Sequence, residues 1–133
     1  MSDSCWFEMV VDKEDVRKVN KIMFDTEDNI YWNEVNENEN KTVALVSYEA
    51  NYGYYTELKR LVEAGITFCG EHSSGSEYGA ERFVHYGGEY RSVVTTEDGP
   101  VVLVGRDGIS EASLKNVQEY YAIYDLVIAI FEA

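Results

Sequence analysis

Residues 42–70, TVALVSYEANYGYYTELKRLVEAGITFCG, decide the fold. Val43, Ala44, Leu45 and Val46 form an apolar run of strand length. Asn51-Tyr52-Gly53 is turn chemistry, because glycine supplies backbone angles that other residues resist. Tyr54, Leu58, Leu61 and Val62 then recur at helical spacing, with Glu57, Lys59, Arg60 and Glu63 opposite them. Gly65 fits the left-handed position just past a helix end, and Ile66, Phe68 and Cys69 start a second apolar strand. Strand–helix–strand of this length is a βαβ unit with a right-handed crossover.

Upstream, residues 5–11 (CWFEMVV) form a strand candidate with Phe7, Met9 and Val11 on one face. Asp12 is placed as an N-cap for a helix whose stripe is Val16, Val19, Ile22 and Met23. Lys13, Arg17, Lys18 and Lys21 lie on its solvent side. Residues 25–28 (DTED) make a turn, and residues 29–35 (NIYWNEV) alternate as a strand anchored by Ile30, Trp32 and Val35. The polar residues 36–40 (NENEN) close a hairpin into Thr42. The order β-α-β-β-α-β predicts an α+β protein with a ferredoxin-like core. That core is a four-stranded antiparallel sheet of order 4-1-3-2 backed by two helices on one face.

Beyond Gly70 a polar loop, residues 71–79 (EHSSGSEYG), leads into a β-meander. Its strands are predicted at residues 82–86, 90–95 and 101–104, with turns at Gly87-Gly88, Asp98-Gly99 and Asp107-Gly108. Ser110 caps a final helix whose apolar face is Leu114, Val117, Tyr121, Tyr124, Ile128 and Phe131. Residues 127–130 suit a strand equally well. No linker, repeat or low-complexity tract divides the chain, so residues 1–133 are expected to be one domain.

Charge narrows the partners. The chain carries 25 acidic and 11 basic residues, a net −14, which repels nucleic acid and anionic membrane and attracts basic proteins. Residues 1–4 lack a basic, apolar leader, and the apolar tail from Tyr120 falls short of the ~20 residues that span a bilayer. Cys5 and Cys69 lack CxxC spacing and read as reduced thiols. A cytoplasmic protein is expected.

The densest acid lies in Asp25, Glu27, Asp28, Glu34, Glu37 and Glu39, with no basic residue from Ile22 to Asn40. Glu37 and Glu39 in extended chain would stand roughly 6.8 Å apart on one side. Carboxylates at such a pitch imitate a phosphate backbone and compete for a basic groove. Tyr48, Tyr52, Tyr54 and Tyr55 cluster nearby, too many within eight positions to be buried together, and tyrosine is enriched at binding hot spots. The expected function is a non-enzymatic acidic inhibitor. It would bind a basic nucleic-acid-binding protein or nuclease through these acids with Tyr52, Tyr54 and Tyr55. Such a protein would be DNA-mimic-like, of anti-restriction, anti-CRISPR or immunity-protein type.

A different reading places a small enzyme or ligand-binding site at Glu71, His72, Glu77, Tyr78 and His85. No HxH, HExxH or CxxC spacing supports a metal there, and Ser73, Ser74 and Ser76 lack the GxSxG elbow. The phosphate-cradling glycine motifs are absent as well. No metal or cofactor is expected. A plain interaction module using the tyrosine turn or the last helix is the third reading.

Overall fold

The computed structural model describes residues 4–96 and 99–131. Residues 1–3 and Asp98 of the predicted turn pair lie outside the described residues. The chain forms β1 (Ser4–Asp12), α1 (Val16–Phe24), β2 (Glu34–Glu37), β3 (Thr42–Asn51), α2 (Tyr55–Glu63) and β4 (Phe68–His72). It continues with β5 (Glu81–Tyr86), β6 (Glu89–Thr96), β7 (Gly99–Pro100), β8 (Val104–Gly105), β9 (Gly108–Ile109) and α3 (Glu111–Phe131). Short 3₁₀ turns, Lys13–Asp15 and Tyr52–Tyr54, open α1 and α2.

The architecture is α+β. Seven strands pair antiparallel in the order β2-β3-β1-β4-β5-β6-β7, and β8 and β9 make a separate small hairpin. The sequence reading expects a four-stranded sheet; the observed one does not stop at β4, so strand count and order differ. The reason is the free edge of β4, whose backbone groups need partners. The predicted meander supplies them through β5.

Alternation along the strands builds two cores. Phe7, Met9, Val11, Leu45, Phe68 and Phe83 face α1 and α2, where Val19, Met23, Leu58 and Leu61 cover them. Cys69, Val84 and Val93 face the other way and meet Ile123 and Phe131 of α3. Cys5 belongs to the first core and Cys69 to the second, so the two thiols lie on opposite sides of the sheet and form no disulfide. A helix–sheet–helix layering results.

Four local expectations are corrected. Asp12 makes no side-chain cap bond. Residues 29–33 are a loop, and β2 starts only at Glu34. Buried Asn20 dictates this: its Oδ1 accepts the Trp32 indole N–H at 2.7 Å, while its Nδ2 donates to Asn29 Oδ1 at 2.7 Å and the Glu27 carbonyl at 3.3 Å. Trp32 is thereby drawn into the core and Ile30 is left 73% exposed. Residues 101–103 form no strand because α3 side chains take their backbone groups. Asn116 Nδ2 donates to the Val101 carbonyl at 3.0 Å, and Ser113 Oγ accepts the Leu103 N–H at 3.0 Å.

In α3 the buried face is turned about one residue from the expected one. Ser113, Ile123 and Phe131 are buried, with Tyr120, Val127 and Ile130 beside them. Leu114, Tyr121, Tyr124 and Ile128 are exposed. The helix is apolar over more than one stripe, so periodicity alone does not select the stripe that meets the sheet. Arg91 fixes the choice by donating to both carboxylate oxygens of Glu119 at 2.8 Å. The Ser110 cap is present, its Oγ accepting the Ser113 N–H at 3.2 Å. Helix persists to Phe131, whose carbonyl accepts from Asn40 Nδ2.

Candidate functional site

The acidic residues singled out from sequence do not form one row. Glu34 starts β2 opposite Val46, and its carboxylate accepts the Tyr48 hydroxyl at 2.8 Å. Glu37 stands opposite Val43, toward the far end of the strand, and pairs with Lys13 at 3.2 Å. Alternation also turns Glu34 and Glu37 to opposite faces of the sheet, and Glu39 lies in the following turn. Asp25 pairs with Lys21 at 3.0 Å. Lys13 and Lys21 therefore partly neutralise this acidic stretch.

Glu27 and Asp28 sit in the loop pinned by Asn20, and that loop joins the tyrosine turn. Phe24 and Trp32 pack edge-on against Tyr54 at ring distances of 5.4 and 5.9 Å. Tyr54 is thus a core residue. Its hydroxyl donates to Ser47 Oγ at 3.0 Å, and burial followed by nearby Glu57 raises its pKa against the effect of that bond. Tyr52 and Tyr55 remain exposed. Tyr31 and Tyr48 are exposed as well.

The Tyr52-Gly53-Tyr54 turn is unusual in its backbone, with φ of 52°, 60° and 56° in succession. Left-handed geometry is unfavourable for residues bearing a Cβ, and such strain gathers at ligand clamps and active sites. Gly53 is required here, since a Cβ on it would lie 2.9 Å from the His72 ring. The turn presses its backbone on His72 and throws Tyr52 and Tyr55 to either side. Together with Thr56, Leu58, His72, Tyr78, Glu81 and Tyr90 they line a cleft of about 400 Å³. That volume suits a small molecule.

His72 closes the cleft floor. It ends β4 rather than occupying the predicted loop, and it is buried. Its Nδ1 lies 2.8 Å from the Ser73 carbonyl and its Nε2 3.2 Å from Glu81 Oε2. Both partners are acceptors, so the two ring nitrogens are satisfied together only in the imidazolium. Burial lowers the His72 pKa, but the bonds to Glu81 and Ser73 and the Glu81 charge outweigh it and leave the pKa above its ordinary value. The Tyr90 phenol is pushed up by burial, then by the fields of Glu81 and Tyr55. It stays neutral at physiological pH.

Of the five residues in the ligand reading, the cleft unites His72 and Tyr78 alone. Glu71 faces the α3 side, where Arg82 reaches it at 3.4 Å. Glu77 lies in the loop outside the cleft lining. His85 is buried in β5, its Nδ1 donating to the Ile66 carbonyl at 2.5 Å and its Nε2 without a hydrogen-bond partner among the described residues. The sequence reading misses Glu81 and Tyr90. Glu81 was within reach of it, because an antiparallel return after residue 80 sets residue 81 opposite residue 72.

A second hollow of about 690 Å³ is lined by Trp6, Glu71, His72, Ser74, Arg82 and Tyr120 among others, so it brings together Glu71 and His72 of the ligand reading. Arg82 is held there over the Tyr120 ring at 5.2 Å and near Tyr124 at 5.9 Å. Among the described residues no cluster of three or more His, Cys, Asp or Glu is arranged to hold a metal. No helix among them is long and apolar enough to cross a membrane. Compared with known proteins, the chain matches no family model, no curated protein and no solved structure.

Proposed function

We propose that this chain is a non-enzymatic acidic binding protein that occupies a basic, nucleic-acid-binding surface on another protein. The observation that carries the reading is the exposure of Tyr31, Tyr48, Tyr52 and Tyr55 on a protein of net charge −14, with the Tyr48 hydroxyl donating to Glu34 at 2.8 Å. Aromatic anchors bury large area in a partner, and surrounding carboxylates select a basic one and speed its approach. Glu37 and Glu39 drop out of the binding face, because they stand at the other end of β2. The target class remains a nuclease or other nucleic-acid-binding protein, as the charge implies.

Under this reading the first four strands are a ferredoxin-like core, with β1 between β3 and β4 and β2 outside β3. The later strands extend that core within one domain. Two cysteines without a disulfide accord with a reducing cytoplasm.

The test is capture from lysate by immobilised protein, followed by elution with salt and with duplex oligonucleotide. The Glu27→Lys/Asp28→Lys/Tyr55→Ala variant should lose the basic proteins that the wild type retains. Glu37→Lys/Glu39→Lys should keep them. Identical captured sets from wild type and the first variant, both folded, would refute the proposal.

A further inference from the structure

We propose that the cleft between the Tyr52–Tyr54 turn and the β4–β5 pair is a binding site for a small organic ammonium ion, of the quaternary or methylated-amine class. This goes beyond the partner reading and does not depend on it. Four phenol rings reach the cleft from separate segments: Tyr52 and Tyr55 from the turn and start of α2, Tyr78 from the 73–80 loop, and Tyr90 from β6. Tyr52 and Tyr78 stand 5.9 Å apart with planes tilted by 40°, as two adjoining walls. The face of an aromatic ring carries negative electrostatic potential, and several such faces around one volume attract a desolvated cation.

Charge works against an anionic ligand. An anion would meet Glu81 at the cleft edge and the field of a chain with net charge −14. The imidazole lining the cleft, His72, is 7% exposed in its side chain and faces Glu81 Oε2 and the Ser73 carbonyl. When it is protonated, that carboxylate matches its charge. A cation in the cleft therefore meets phenol rings and the negative field of the molecule. About 400 Å³ accommodates a choline-sized ion with room for its polar tail. The left-handed turn that positions Tyr52 and Tyr55 supplies the strained, fixed wall that clamps use.

Choline and its neutral carbon isostere 3,3-dimethyl-1-butanol test the inference, titrated into the full chain at constant ionic strength and followed by the ligand's methyl proton resonances. Choline is expected to saturate with an upfield ring-current shift and to bind about two- to thirtyfold more tightly than the isostere, the span of cation–π effects. Tyr55→Leu should weaken choline binding about two- to fivefold, whereas Tyr55→Phe, which keeps the ring, should bind within about twofold of wild type. Tyr55 is 70% exposed, so neither change threatens the fold; circular dichroism verifies this, and Tyr52→Leu serves as a second variant. Equal binding of the isostere, no saturable choline binding by the wild type, or unchanged affinity in both leucine variants would overturn it.

Discussion

Glu8 and Glu71 stand opposite one another on β1 and β4, both turned toward the α3 side of the sheet. Like charges directly opposed across strands destabilise a sheet. Glu34 adds to the effect from the row beyond Val46. Burial, then Glu71, then Glu34 raise the pKa of Glu8 above its ordinary value.

Glu8→Gln should therefore stabilise the protein at pH 7, by about 0.2–1 kcal/mol on the scale of cross-strand pairs. The sign follows from linkage: the folded state binds the Glu8 proton more tightly than the unfolded state, so wild-type stability from this group falls as pH rises above 4.5. The advantage of the variant should vanish below that pH. Urea unfolding of both proteins at pH 4 and pH 7 measures it, and a variant less stable than wild type at pH 7 would contradict the arrangement.

The His72–Glu81 pair shifts stability with pH in the same direction, but here it is the charged form that the folded state favours. A histidine whose folded pKa lies above its ordinary 6.5 contributes stability that is complete below 6.5 and disappears as pH rises through the folded value. Glu81→Gln should lower stability by about 1 kcal/mol at pH 6, a typical net hydrogen-bond contribution, and by much less at pH 8.5. Thermal unfolding of the two proteins across that range reports the difference. A gap that does not narrow with pH would place the stabilisation outside the imidazolium.

Gly70 lies where β4 crosses β1 and β5. A Cβ there would come 2.2 Å from the Glu8 carbonyl oxygen and 2.8 Å from the Phe83 ring. The carbonyl belongs to a paired backbone and cannot swing aside. Gly70→Ala should cost at least about 1–3 kcal/mol, the usual penalty for overpacking, with a lower urea midpoint. Gly65→Ala is the comparison, since nothing among the described residues lies within 4 Å of its missing Cβ although its φ of 74° adds strain. Equal losses at the two sites would mean that contact plays no part at Gly70.

Local sequence determined what local physics controls. The β3–α2–β4 segment is legible because its apolar residues change period from two to 3.6 and back at turns that carry Gly53 and Gly65, both at positive φ. The α1 stripe is legible for the same reason, and Val19 and Met23 are buried as the spacing requires. The Gly87-Gly88 hairpin needs nothing beyond its turn and flanking runs.

Tertiary structure decided everything that rests on one side chain in two environments. Residues 29–33 alternate like a strand, yet buried Asn20 binds them as a loop, and no local pattern records a partner nine or twelve positions away. The apolar residues of α3 form two stripes, and contact with the sheet, fixed by Arg91 and Glu119, selects one of them. The cleft joins His72, Glu81 and Tyr90 to Tyr52 because strand register and a left-handed turn bring together four points scattered over 39 positions of chain. Spacing along the chain fixes which face a residue presents. Register across strands fixes which residues it meets.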